Sequence, residues 1–202
     1  MVYIPRKINK TTLRRDLDYT KSREFINGVR SIINENFMKI KNNLINDFES
    51  HPVTRELNGG VDASNSSGTL GGKGNLYRFI GFERGHDPIA PISRELSNIS
   101  ITMIRIKKDG TAHTNIIYPS ADEIFNMTPL PWASQRSWAE GIEKGISNLG
   151  QFLNIKSNSS RAGAGIQADI ETGASFQPVP YISHLIKKFE REVINLSRRK
   201  LR

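Results

Sequence analysis

The sequence predicts an α+β fold, in which a small, mainly antiparallel β-sheet packs against a long N-terminal helix, a central helix and a C-terminal helix. Three patterns carry this prediction: apolar residues at helical spacing between residues 22 and 50, alternating residues around an Asp109-Gly110 turn, and a second helical pattern over 181–197. Because helical and alternating apolar faces must share one core, we expect the helices to cover one face of the sheet.

The composition is that of a basic chain without cysteine. Its 202 residues suit one domain with extensions, and 29 Lys and Arg against 20 Asp and Glu give a formal net charge of +9. This charge favours nucleic acid or acidic protein surfaces as partners. The lack of cysteine excludes disulfides, thiolate metal sites and cysteine nucleophiles. Since no apolar run reaches membrane-spanning length and the N-terminus lacks a signal-peptide core, we expect synthesis in the cytoplasm and no membrane partner.

Basic segments flank the predicted domain. We predict an extended arm over residues 1–21 that orders on a partner, a single α+β domain over 22–197, and a basic tail over 198–202. The cations that we take as interface candidates lie in these two termini: Arg14, Arg15, Arg198 and Arg199. A terminus without a role is the alternative, and cations also suit a helix C-terminus.

The first helix is predicted from Ser22 to about Ser50. Its apolar stripe steps by three and four residues and consists of Ile26, Val29, Ile33, Phe37, Ile40, Leu44 and Phe48. Three further residues are expected to widen the stripe towards the core: Phe25, Ile32 and Ile45. His51-Pro52 ends the helix, because proline disfavours helical geometry in the preceding residue, and a short helical turn follows through Leu57.

Residues 58–75 have the Gly, Ser and Asn content of a mobile loop. Gly72-Lys73 resembles part of a phosphate-binding loop, but Gly74 stands where that motif requires Ser or Thr, and Ser67 where it requires its first Gly. We therefore expect no nucleotide site in this loop. Residues 76–82 alternate well enough to predict a strand.

A hairpin is predicted between residues 99 and 118. Apolar residues occupy odd positions at Ile99, Ile101 and Met103, and even positions at Ile104 and Ile106. This change of parity predicts either a bulge or a strand buried on both faces. The Ser120-Ala-Asp-Glu123 sequence is a capping box, which predicts a short helix through Met127.

Residues 129–150 combine large aromatic side chains with small residues. The interface candidates in this segment are both tryptophans and two glycines one helical turn apart: Trp132, Trp138, Gly141 and Gly145. A second capping box at Ser137 opens a helix that we predict to run to Leu153. We expect this helix to pack in the core against residues 22–50, with a contact between subunits as the alternative.

The C-terminal third predicts one strand and one helix. Residues 166–170 alternate as a last strand, and Pro178-Val179-Pro180 leads into an amphipathic helix. The apolar face of this helix consists of Ile182, Leu185, Ile186, Phe189, Val193 and Leu196.

No convincing catalytic set is present in the sequence, so we expect neither an enzyme nor a bound cofactor or metal. The four histidines lack metal-ligand spacing, and no nucleophile elbow follows a strand. Glu83, His86 and Asp87 are the alternative, as a metal-dependent nuclease or hydrolase site. We favour a polar loop in which Asp87 caps the short helix that begins at Pro88.

A DNA-binding accessory protein is a second alternative function. The basic residues gather at both ends of the chain, and no zinc-finger, basic-zipper or base-stacking pattern accompanies them. Any DNA contact is therefore expected to reach phosphates without reading sequence.

The segment PLPWASQRSWAEGIEKGISNLGQFL, followed by SSRAGAGIQ, resembles virion proteins of tailed bacteriophages. The predicted order of elements over residues 22–196 is also similar to that of the neck and tail-completion proteins of these phages. These head–tail connector proteins have a long N-terminal helix, a loop-rich region, a small sheet with a hairpin, and a C-terminal helix after a Pro-aromatic turn, here Pro180-Tyr181. The N-terminal arm and the long Ser/Gly loop depart from the compact pattern of the family.

The resemblance implies a structural role without catalytic residues. Proteins of this family form rings at the head–tail junction, so it implies a homo-oligomer in the virion that contacts the portal or adaptor and the tail tube. It leaves open whether the protein is a head-side adaptor or a tail-side terminator, and whether the ring makes non-specific contact with genomic DNA. A closed ring repeats the same two different patches around an axis.

Overall fold

The computed structural model describes residues 22–107, 112–145 and 176–198. Within these stretches the predicted α+β fold is confirmed. Over these residues the chain has seven α-helices: α1 (Arg23–Ser50), α2 (Pro52–Asn58), α3 (Leu76–Ile80), α4 (Ala90–Asn98), α5 (Ala121–Asn126), α6 (Trp138–Lys144) and α7 (Ile182–Arg198). The same residues contain four strands: β1 (Ser100–Ile106), β2 (Ala112–Ile117), β3 (Pro129–Leu130) and β4 (Ala133–Ser137).

The chain divides into two units. Among the described residues, the first unit comprises 22–39, 100–107 and 112–117, and the second comprises 40–99, 118–145 and 176–198. The first unit contains the N-terminal part of α1 and the β1–β2 ribbon. The second contains the remaining elements. The single domain expected over 22–197 stays a prediction.

Helix α1 has the predicted bounds, and the residues at most 5% exposed along it are Val29, Phe37, Leu44 and Phe48. Ile32, predicted to widen this stripe towards the core, is 44% exposed, so that prediction is wrong. At 3.6 residues per turn, Ile32 lies about a third of a turn from the centre of the stripe. That angle places its side chain towards solvent.

In the first unit, the register of the β1–β2 ribbon shifts between Ile101 and Met103, so Thr102 is an extra residue. Because of this bulge, Ile101, Ile104 and Ile106 lie on one half-buried face although their positions differ in parity. The bulge predicted from the change of parity is therefore confirmed.

Residues 76–80 form helix α3, and the strand predicted there is wrong. The Arg78 N–H donates to Asn75 Oδ1 (2.8 Å), which caps the helix, and Gly81 ends it in the left-handed region at φ 94°. Four of its five residues are buried: Leu76, Tyr77, Phe79 and Ile80. In a segment of five residues, an alternating apolar pattern looks the same as a helix that is buried on most sides. The caps at Asn75 and Gly81 determine that this segment is a helix.

The strands form two separate ribbons within the described residues. β1 pairs with β2, as the predicted hairpin requires, and β3 pairs with β4, a ribbon that the sequence patterns do not predict. Both pairings are antiparallel. The second ribbon turns at Pro131-Trp132. We expected a single small sheet, and these strands instead form two separate two-stranded sheets.

Helix α6 begins where predicted, because Ser137 Oγ accepts from the Glu140 N–H (3.0 Å). Its main contacts are with α5, β4 and α7, and the prediction that α1 is its chief partner is wrong. The reason is Tyr181, whose ring lies 6.4 Å from that of Trp138 and 6.1 Å from that of Phe48, between centroids. An aromatic residue of the C-terminal segment thus occupies the place expected for a direct helix contact.

The C-terminal helix and the capping box of α5 are confirmed. α7 buries the first four apolar residues of its predicted face, and the Ser120 and Glu123 side chains each accept from the other's backbone N–H (3.2 and 2.7 Å). Five predicted features lie outside the described residues: the arm over 1–21, the Asp109-Gly110 turn, the continuation of the central helix to Leu153, the strand over 166–170, and the tail from residue 199.

Candidate functional site

Tyr181, the residue before α7, is inserted into a pocket of the second unit and is 0% exposed. Its hydroxyl shares a hydrogen bond of 2.8 Å with Thr54 Oγ1 of α2. Burial raises the pKa of the Tyr181 phenol, so it stays protonated and keeps this bond. Tyr181 therefore docks the start of α7 onto α2, the end of α1 and α6.

His51 connects the same elements through both ring nitrogens. Its Nδ1 accepts from the Val53 N–H (3.3 Å) and caps α2, while its Nε2 lies 3.1 Å from the carbonyl oxygen of Pro180. The ring also packs 4.8 Å from that of Tyr181, between centroids. Burial lowers the pKa of His51, the hydrogen bond to Pro180 opposes this, and the charge of His184 lowers it further.

A shallow groove of about 430 Å³ runs beside His51. The other residues that line it are Asp47, Ser50, Pro52, Pro180, His184, Leu185 and Lys188. Lys188 Nζ donates to Asp47 Oδ2 (2.6 Å), and this hydrogen bond raises the pKa of Lys188. The two opposite charges are thus paired with each other.

Trp132, an interface candidate, contacts its own chain. Its Nε1 donates to the carbonyl of Ile80 (3.0 Å), which lies at the end of α3. A Cβ at Gly81 would lie 3.3 Å from Trp132 Cδ1, so the indole covers the left-handed glycine closely. Trp132 is half-buried. It anchors the β3–β4 turn on α3.

The candidates on α6 also have neighbours within the chain. Trp138 is 2% exposed and its ring lies edge-on to that of Phe82, as the core-packing expectation requires. A Cβ at Gly145, which has φ 90°, would lie 3.6 Å from Pro178 Cγ. Gly141, one turn earlier on the same helix, is half-buried. The C-terminal segment also contacts α6 at Ile142, whose carbonyl accepts from the Val179 N–H (3.1 Å).

The basic candidates fall at the limits of the described chain. Arg14, Arg15 and Arg199 lie outside the described residues. Arg198 is the last residue of α7, and its side chain is not among those described. Their role as interface residues stays a prediction.

Glu83, His86 and Asp87 lie in one exposed turn. Asp87 Oδ1 accepts from the N–H groups of Ile89 and Ala90 (3.1 and 3.0 Å). The helix α4 that follows begins at Ala90 with Ile89 as its N-cap residue, so the prediction that it begins at Pro88 with Asp87 as its cap is wrong. The His86 ring stacks on Phe82, 5.2 Å between centroids. Within residues 22–107, 112–145 and 176–198, no group of three His, Asp or Glu side chains is placed to hold a metal ion.

Sequence reasoning missed a polar network inside the loop of residues 58–75. Glu56 is 1% exposed, and its carboxylate accepts from the side-chain amide of Asn65 (3.0 and 3.1 Å) and the N–H groups of Ser67 (3.0 Å) and Leu76 (2.7 Å). Asn65 Oδ1 in turn accepts from the N–H of Gly72 (3.1 Å). In a phosphate-binding loop this N–H group would instead donate to the bound phosphate. The expected mobility of the loop stays a prediction, and the network was not visible in its composition.

Large hydrophobic side chains are exposed at five described positions. Three belong to the first unit, namely Ile32 (44%), Met38 (48%) and Ile117 (61%). Tyr118 (36%) and Ile194 (47%) belong to the second, where the Tyr118 hydroxyl donates to Glu190 Oε1 (3.1 Å). The smaller unit therefore carries the larger share of exposed apolar residues.

No protein-family model, curated protein or solved structure matches this chain. In the part of the chain that the structure describes, no helix is both long enough and apolar enough to cross a membrane.

Proposed function

We propose that this chain is a structural virion protein of a tailed phage, which forms a homo-oligomeric ring at the head–tail junction. The portal or adaptor on one side and the tail tube on the other are its partners. The order of elements supports the proposal: a long N-terminal helix, a loop-rich region, a hairpin, and a C-terminal helix after a Pro-aromatic turn. The resemblance of the Pro129–Leu153 segment to virion proteins points the same way.

The observation that carries the proposal is the exposure of Ile32, Met38 and Ile117 in the first unit. Single exposed apolar residues are ordinary on protein surfaces, but here they concentrate in the unit with the smaller number of residues. Fully burying an exposed side chain of this size contributes about 1.5–3 kcal/mol, so covering these half-exposed side chains against a neighbouring subunit contributes about half of that for each. A ring subunit needs such a surface, because each copy must cover part of the next.

Native mass spectrometry of the purified full-length chain, together with mass spectrometry of purified phage particles, tests the proposal. We expect an oligomer of fixed size in solution or a fixed number of copies in each particle. A chain that stays monomeric at all concentrations and is absent from particles contradicts the proposal.

A DNA-binding accessory protein remains the second candidate, supported by the net charge of +9. On this alternative, the isolated monomer is retained by DNA in a salt-dependent manner, and removal of residues 1–21 and 198–202 abolishes the retention. A filter-binding assay at several salt concentrations separates the two functions. Retention that requires the assembled oligomer favours the ring instead.

A further inference from the structure

The two hydrogen bonds of His51 assign its protonation state. The Val53 N–H can only donate, so Nδ1 must carry a free lone pair. The Pro180 carbonyl can only accept, so Nε2 must carry the proton. Both contacts are satisfied together only by the neutral ring protonated at Nε2, and a charged ring would turn an N–H towards the Val53 N–H.

We propose that His51 is a pH-sensitive latch that holds the start of α7 against the α1–α2 junction. The neutral ring caps α2 and ties down Pro180, which immediately precedes the buried Tyr181. Protonation at Nδ1 breaks the cap and repels the Val53 N–H. The docking of Tyr181 and of the first turn of α7 is thereby loosened.

The groups around the ring decide how readily it takes up a proton. Asp47 of α1 and Lys188 of α7 line the same groove but pair with each other at 2.6 Å. Glu143 of α6 favours the charged ring, although its Oε1 already accepts from the Ser183 N–H (2.6 Å). His184 of α7 disfavours it. The nearby Tyr181 phenol is neutral, since burial raises its pKa.

The sign of the pH dependence follows from burial, which is the largest influence on His51 and lowers its pKa below the ordinary value of 6.5. The unfolded chain therefore binds a proton at a higher pH than the folded chain does. The stability that the latch contributes is fully present above pH 6.5 and is lost as the pH falls below it. The loss is roughly tenfold in the folded-to-unfolded ratio for each unit by which the pKa is lowered.

Amide hydrogen exchange between pH 7.5 and 5, corrected for intrinsic rates, tests the latch. Two amides report on it directly, those of Val53, capped by His51, and Leu185, which donates to the Tyr181 carbonyl. Ile124 of α5, whose N–H donates to the carbonyl of Ser120, is the reference amide. We expect the protection of Val53 and Leu185 to fall several-fold more than that of Ile124. Equal falls at all three amides contradict the proposal.

Two non-titrating variants separate the functions of the ring. In His51→Asn, the side-chain oxygen can replace Nδ1 as the cap, and in His51→Gln the amide N–H can replace Nε2 as the donor to Pro180. Both are expected to lose the extra fall in protection at low pH. His184→Gln, a control in the same groove, is expected to keep it. A pH response that persists in both His51 variants, or one that disappears in His184→Gln, overturns the proposal.

Nitrogen NMR of the wild-type histidine rings provides a second measurement that needs no variant. At pH 7.5 we expect His51 to be neutral with its proton on Nε2, and to become charged in parallel with the loss of protection at Val53. A ring protonated at Nδ1 at pH 7.5, or one whose titration is unrelated to that loss, overturns the proposal.

Discussion

Glu56 is a buried carboxylate that no cation pairs with among the described residues, and it is stabilised by N–H donors alone. A buried charge is tolerated only where hydrogen bonds replace its lost hydration. Its donors come from Asn65, Ser67 and Leu76, so one side chain holds both the loop of residues 58–75 and the start of α3. A loop with the composition of a flexible linker thereby gains a polar core.

We predict that Glu56→Ala lowers the free energy of unfolding by at least about 3 kcal/mol, because several buried donors lose their acceptor. Glu56→Gln should cost about 1–3 kcal/mol, since it keeps the volume but offers one acceptor oxygen and turns an amide N–H towards donors. Urea unfolding followed by circular dichroism measures both. Glu49→Ala, at an exposed position of α1, is the control and should change the free energy by less than about 0.5 kcal/mol. Equal midpoints for the Glu56 variants and this control contradict the role given to Glu56.

Gly81 illustrates how one glycine can serve a turn and a contact together. We predict that Gly81→Ala destabilises the fold by about 1–2 kcal/mol from the left-handed backbone, and further through the Cβ that would meet Trp132 at 3.3 Å. Gly85→Ala has a comparable φ of 88° with no atom within 4 Å, so it should show the backbone cost alone. Gly28→Ala, in open space inside α1, should instead stabilise the fold by about 1 kcal/mol. Thermal unfolding of the three variants measures this order, and a stabilised Gly81→Ala contradicts it.

At the scale of elements, the second unit is held together by the way α7 is docked. The residue before α7 reaches three other helices, and α7 itself buries Ile182, Leu185, Ile186 and Phe189. The hydrogen bond between Tyr181 and Thr54 is the polar contact at the centre of this docking, and both side chains are 0% exposed. A buried hydroxyl left without its partner is costly, so the two groups stabilise the fold as a pair.

A double-mutant cycle tests this pairing. We predict that Tyr181→Phe and Thr54→Val each lower the free energy of unfolding by about 1–3 kcal/mol, because each leaves one buried hydroxyl unsatisfied. The double variant should cost clearly less than the sum, since neither hydroxyl then remains. Chemical denaturation of the four proteins gives the coupling energy. Strict additivity contradicts a direct contribution of the hydrogen bond.

The elements differ in how far local sequence determines them. Ser120 and Ser137 start α5 and α6 where their capping patterns predict, because each cap is made within three residues. The alternation over residues 76–82 predicts a strand where the structure has helix α3, because five residues are too few to distinguish the two periods. Asn75 and Gly81, the residues that cap it, were the available signal.

At the scale of the whole molecule, the first unit exposes large apolar side chains to solvent. These side chains do not belong to the buried apolar stripe of α1. Ile32 projects away from the stripe that buries Val29 and Phe37, and Ile117 lies on the more exposed face of the ribbon. On the proposed function, neighbouring subunits cover these side chains in the assembled ring.

We predict that Ile32→Lys and Ile117→Lys each weaken the oligomer by at least tenfold in its dissociation constant, because a charge must then be buried at the subunit contact. Ile194→Lys, at a position of comparable exposure in the second unit, is the matched control and should assemble as the wild type does. Sedimentation velocity across a range of concentrations measures the effect. Unchanged assembly of both first-unit variants excludes this surface as the contact.

By itself, the sequence determined the α+β class, the length of α1, the capped starts of α5 and α6, the bulge of β1, and the amphipathic C-terminal helix. These features depend on periodicity and on hydrogen bonds between residues a few positions apart. Only the tertiary structure decided that Tyr181 separates α6 from α1, that Glu56 is buried, and that Ile32 is exposed. Each of these depends on which distant residues meet: Thr54 and Tyr181 are 127 positions apart, and nothing in either neighbourhood encodes their contact.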